Sequence, residues 1–229
     1  QMNYNNICVF DFETSSADKN TCQILQIGAA IVDRWNLEVI DTFNSLAKPE
    51  DMDAVEEEAL QINRIKREDL EEAPDVKIVW GQFVNWVNKY NKSKGPLNTF
   101  RAPIPSGYNI IGYDMPIVQR YCEKFGPWDE KRKEQKLFNQ LHKIDLMDHM
   151  FFWTENNDTI KSLKLTSICE WMGFAKADIE NAHDALQDVL NTAKIVVRLL
   201  RMQRSLTAVS DETGKPRLQM KNAFGHGQD

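Results

Sequence analysis

No stretch of the 229 residues stays apolar for anything near the ~20 residues that a membrane-spanning helix needs, so a chain without membrane contact is expected. The polar start, Gln1 to Asn6, lacks the basic-then-apolar order of a signal peptide. Cysteine is sparse and scattered. Cys8, Cys22, Cys122 and Cys169 form no Cys-x-x-Cys pair, which argues against zinc and dithiol motifs and for buried free thiols in a reducing compartment. A cytoplasmic protein is the expectation. Excess positive charge is missing too: the net charge is −6. That argues against coating duplex nucleic acid by bulk electrostatics, but not against holding one strand end. There is no internal repeat and no low-complexity segment.

What is present is a soluble-domain composition long enough for one real core. Ile7 to Phe12 is an apolar run of the kind that forms a central strand buried on both faces. Ile24 to Val32 reads as a second strand, with Gly28 and its alanines letting other backbone approach, and Val39 to Leu46 as a third. The short gaps favour antiparallel neighbours. Met52 to Ile62 and Val76 to Tyr90 have helical spacing. Asn91 to Gly107 holds Gly95, Pro96, Pro103 and Pro105 and reads as a loop, leaving Gly107 to Gly112 for a strand and turn. Met115 to Phe125 suits a helix, Leu141 to Leu146 ends in a strand, and Leu163 to Met172 is a helix stopped by Gly173. Asp184 to Arg204 is the last helix, with Asp184 and Gln187 as a capping-box-like start. The basic runs Lys131 to Lys133, Lys161 with Lys164, and Arg198, Arg201 and Arg204 read as solvated surface. The pattern implies an α/β mixed sheet flanked by helices. Residues 1–204 form the domain, and residues 205–229 form a polar tail of weak expected order.

Four stretches carry acids in order: Asp11-Phe12-Glu13-Thr14, Tyr108-Asn109 on to Tyr113-Asp114, Ile144-Asp145-Leu146, and His183-Asp184 on to Asp188. Asp11 and Glu13 are two apart in a strand and so share a face. Charge at the end of an apolar strand is costly unless paired or bound to metal; the plain alternative is a strand end reaching solvent. Asp114, just before Met115-Pro116, has the look of a helix cap, which does not exclude metal binding. His183 falls on the loop before the last helix and Asp188 one turn inside it. Asp145 reads as a supporting acid beside the ligands. The apolar stretch after it, Met147 to Trp153, reads as core, with a base-stacking surface as the other option. Clustered carboxylates are natural ligands of magnesium and manganese.

The ordered set Asp11, Glu13, Asp114, His183 and Asp188 resembles the DEDDh, or DnaQ-like, 3′–5′ exonucleases of ribonuclease-H-like fold. In local detail it is most similar to the exonuclease domain of bacterial exonuclease I. Gly107-Tyr108-Asn109 ahead of Asp114 and Asn181 to Ala185 running on to Asp188-Val189 carry that likeness. Tyr113 departs from it, standing where many relatives have Phe. The resemblance implies a five-stranded ribonuclease-H-like sheet. It also implies two divalent cations, Mg2+ or Mn2+, one held by Asp11, Glu13 and Asp188 and the other placed by Asp11 and Asp114. His183 would be the base. Phe12 and Thr14 would meet the terminal nucleotide, Ile24 or Leu25 would wedge against the last bases, and Asn109 would support the Asp114 region. The partner implied is the 3′ end of a single strand, with DNA favoured by the likeness alone. An RNA-trimming enzyme is the nearest alternative, and an inactive nucleic-acid- or polymerase-binding module is one of another class. The chain keeps all five residues that such a module would be expected to have lost in part. A replication or repair partner is left open.

Overall fold

The computed structural model describes residues 5–180, 184–209 and 214. The chain divides into two units, residues 1–193 and 194–229. In the first, β1 (Ile7–Thr14) is the middle of a five-stranded sheet. It pairs antiparallel with β2 (Ile24–Val32), which pairs antiparallel with β3 (Val39–Leu46). Three helices, α1 (Glu57–Asn63), α2 (Arg67–Glu72) and α3 (Val76–Asn88), cross over to β4 (Ile104–Gly107), parallel to β1. Helix α4 (Asp114–Phe125) and a small hairpin of β5 (Trp128–Asp129) and β6 (Glu134–Gln135) lead to β7 (Ile144–Asp145), parallel to β4. The order is β3-β2-β1-β4-β7, the mixed α/β sheet that the pattern implies. Helices α5 (Leu146–Thr154), α6 (Leu165–Trp171), α7 (Lys176–Glu180) and α8 (Ala185–Thr207) follow.

Alternation along β1 sorts its side chains. Cys8, Phe10 and Phe12 enter the main core with Val79, Trp80 and Phe83 of α3 and Ile117, Val118 and Tyr121 of α4. Asp11 and Glu13 point to the opposite face. In the second unit, the described residues Ile195, Val196 and Val197 are buried.

Several boundaries differ from the pattern. The first helix begins at Glu57, not Met52, because the Asp51 carboxylate accepts from the backbone of Asp53 and Ala54 and holds the chain in a turn. The fourth strand lies at 104–107, inside the stretch read as loop. Its Pro105 is tolerated because Ile104 donates toward β1, to the Asn6 carbonyl. Alternation sends the Pro105 nitrogen to the other side, where β7 pairs only from Ser106 onward. Helix α8 runs on past residue 204 to Thr207, so the expected tail starts within its last turn. Phe151, Phe152 and Trp153 of α5 are exposed rather than core, while Leu146 and Met150 are buried. Among the described residues no helix is long and apolar enough to cross a membrane.

Candidate active site

The acids come together at the open end of β1. Asp11 stands opposite Gly28 and Glu13 opposite Gln26 across the β1–β2 ladder, so all four positions share one face. A side chain at Gly28 would put its Cβ 2.4 Å from the Ala185 carbonyl carbon and 2.6 Å from the Leu186 nitrogen. The missing side chain is what lets the first turn of α8 rest against β2. That turn is fixed by Asp184, whose Oδ1 accepts from the Gln187 backbone at 3.0 Å. The Gln187 side chain donates to Asn191 Oδ1 at 3.1 Å. One turn in, Asp188 reaches the β1 acids. Carboxylate oxygens of Asp11, Glu13 and Asp188 lie within 4.8 Å of one another.

Asp114 is buried beside this trio but outside the 4.8 Å group. It is the first residue of α4 rather than its cap. Tyr113 takes the cap position, and Asp114 Oδ1 accepts from the Phe12 backbone at 3.2 Å. A helix start is thereby aimed at the strand between Asp11 and Glu13. Burial, then repulsion from Asp188 and Asp184, raises the Asp11 carboxyl to about 7. Burial, then Asp11, Asp188, Asp114 and Asp184, raises Glu13 to about 9. Burial and Asp11 also push Asp114 well up. An all-oxygen donor set whose members repel one another fits a hard divalent cation, which would relieve that repulsion.

Asp145 supports the site from outside it. Its two oxygens accept from the backbone of Asn109 at 2.9 Å, Ile111 at 2.9 Å and Met147 at 3.1 Å. It thereby shapes the turn leading to Asp114. Asn109 has a left-handed φ of 61° in that turn, and its carbonyl accepts from Tyr113. Tyr113 closes the other side: its hydroxyl lies 2.6 Å from Thr14 Oγ1 and donates to the Ser16 carbonyl at 2.9 Å.

Not every expected contact residue faces the site. Ile24 and Leu25 are fully buried in two separate clusters, so neither presents a wedge to a base. The Phe12 ring packs against Phe10, Trp80 and Phe83, leaving only its backbone near the acids. The Thr14 hydroxyl is engaged with Tyr113 and the Ser16 carbonyl. Their positions in an apolar strand, alternating about β1 and β2, already favoured the core. His183 lies outside the described residues. The pattern missed Gln26, a buried amide opposite Glu13 that reaches Asp184 Oδ2 at 3.3 Å and Asn44 Oδ1 at 3.0 Å. A lone polar residue inside the apolar run of β2 was the available signal.

Residues 8–102, which include Asp11 and Glu13, match the RNase_T exonuclease family. Escherichia coli exonuclease I in complex with a dT13 oligonucleotide superposes with a TM-score of 0.66 at 18% identity, covering 90% of this chain and 44% of that one. The family match covers under half of the chain, and the structural likeness extends the shared fold over most of the rest. Other structures sharing this fold include cell-death related nuclease 4, with a TM-score of 0.66 at 18% identity, covering 87% of this chain and 65% of that one. A 3′-exonuclease described as recognising the 3′ end of the histone mRNA stem-loop gives 0.62 at 17% identity, covering 88% of this chain and 84% of that one. At these identities the structural likeness is one of fold. The chain spans under half the length of the exonuclease I chain that it matches. No curated protein sequence matches the chain significantly.

Proposed function

We propose that this DnaQ-like chain is a metal-dependent 3′–5′ exonuclease that hydrolyses the terminal phosphodiester of single-stranded DNA and releases nucleoside 5′-monophosphates. The observation that carries this is the convergence of Asp11, Glu13 and Asp188 oxygens within 4.8 Å on this fold. Asp11, Glu13 and Asp188 would hold one divalent cation, and Asp11 with Asp114 the second. Magnesium and manganese both suit the all-carboxylate set. Bound there, such a pair lowers the pKa of water and neutralises charge on the phosphate. His183, next to the Asp184 cap, is the base that takes the water's proton, its ordinary pKa of about 6.5 suiting neutral pH. Asp145 and Tyr113 hold the turn and strand end on which Asp114 and Glu13 ride. Four buried free cysteines support a reducing, cytoplasmic setting.

Trimming of RNA is the second reading, favoured by one observation. The histone mRNA 3′-exonuclease covers this chain almost end to end, with 84% of its own length matched. End-labelled DNA and RNA strands of equal sequence, with magnesium, manganese or chelator, test both. Stepwise, metal-dependent shortening of the 5′-labelled DNA strand from its 3′ end is expected. Cleavage of a closed circle, or activity undiminished in chelator, would refute the proposal.

A further inference from the structure

From Val76 to Tyr113 the chain carries five cations, Lys77, Lys89, Lys92, Lys94 and Arg101, and no carboxylate, although its net charge is −6. Four of these fall in the excursion between α3 and β4 that the catalytic reading does not use. The excursion is tied down. Asn91 Oδ1 accepts from the Ser93 backbone and hydroxyl at 3.0 and 2.7 Å, and Asn98 Oδ1 accepts from Phe100 at 2.8 Å. The Lys92 backbone donates to the Arg101 carbonyl at 2.9 Å, which sets these two positions next to each other. Asn5 and Asn139 donate to the Phe100 carbonyl, and Thr99 donates to Gln140, so the excursion is joined to the segment before β7.

Lys94 and Arg101 are exposed and Lys92 is half-buried. Among the described residues none of the three enters an ion pair. Leu97 and Phe100 are about half exposed beside the cations. Lys143, exposed just before β7, donates from Nζ to the Gln140 carbonyl at 3.4 Å, in the segment to which the excursion is joined. A fixed cluster of cations with an adjacent aromatic is the pattern that holds a single strand by its backbone without reading sequence.

Its position sets a distance. Ile104 pairs with Ile7, and Glu13 lies six residues further along the same strand, so the point where the excursion enters β4 is about 20 Å from Glu13 at ~3.3 Å per residue. A stacked strand covers that in about six nucleotides at ~3.4 Å each. We propose that Lys92, Lys94 and Arg101 form a second nucleic-acid contact that grips the phosphodiester backbone upstream of the 3′ end. The identity of the strand rests on the exonuclease reading; the anionic character of the ligand does not.

The test compares wild type with the triple variant Lys92→Gln, Lys94→Gln, Arg101→Gln on a tetranucleotide and on a 20-nucleotide single strand. Binding of the labelled 20-mer is followed by fluorescence anisotropy across a salt series in parallel. The expected result is an unchanged rate on the tetranucleotide, a roughly tenfold rise in KM on the 20-mer, and a salt slope shallower by about 2. Equal effects on both lengths, or an unchanged 20-mer KM and slope, would overturn the second contact. If wild type cleaves neither strand while the variant still loses 20-mer affinity, the exonuclease reading fails and the contact stands.

Discussion

Asp11 brings a negative charge to a place where burial, and then Asp188 and Asp184, raise its carboxyl to about 7. Nothing is gained from such crowding in the folded chain itself; it makes sense as an arrangement that a cation completes. Asp11→Asn is therefore expected to abolish strand degradation and remove most of the thermal stabilisation by magnesium. It should also make the metal-free protein more stable at pH 8 than wild type, because repulsion on Glu13 falls. Melting curves with magnesium and with chelator check both points, and an intact magnesium-induced rise in Tm would sink the assignment. Tyr113 acts differently, through two contacts that pin Thr14 and Ser16 just beyond Glu13. Tyr113→Phe should cost about 1–2 kcal/mol of stability while changing manganese affinity less than twofold. Denaturant titration and calorimetry together would reveal the opposite split, in which affinity falls and stability does not.

At the level of elements, the site depends on how closely one helix start approaches one strand. Gly28 sits opposite Asp11 and directly under the Ala185–Leu186 backbone. Gly28→Ala leaves no flexible side chain to yield, so the first turn of α8 has to move and take Asp188 with it. A stability loss of about 1–3 kcal/mol is expected, with metal affinity reduced at least roughly tenfold; normal affinity in a metal titration would show that the contact does not set the site. Gly28 was legible as a close-approach position because it interrupts an apolar strand, though nothing in the sequence said which backbone approaches. The three long strands were equally legible, since eight or nine apolar-rich residues between polar gaps leave few alternatives. β4 was not: it is four residues long with a proline inside it, so it is defined by its neighbours rather than by a pattern of its own. β7, two residues long, falls at the end of Leu141 to Leu146, where a strand was expected. The acids could be grouped from their order, but the inward turn of Ile24, Leu25 and the Phe12 ring depends on which face the helices cover. Spacing does not report that.

The whole molecule ties protons, metal and stability together. Glu13 and Asp11 titrate near about 9 and about 7 when folded, while an unfolded carboxyl titrates near about 4. Folded values above unfolded ones mean that these groups favour the fold fully only below about pH 4. That contribution is lost as pH rises through about 7 and then about 9. Asp114, raised in the same direction, adds to the trend. Without metal, these groups should therefore make the protein progressively less stable from pH 5 to pH 9. A divalent cation competes with those protons, so its binding should release them and its stabilisation should grow with pH. The magnesium-induced rise in Tm is expected to be small at pH 5.5 and clearly larger at pH 8, with proton release detectable in weakly buffered titrations. A rise in Tm equal at both pH values would mean that the cation binds away from Asp11 and Glu13, and the convergence of the three carboxylates would then need another explanation.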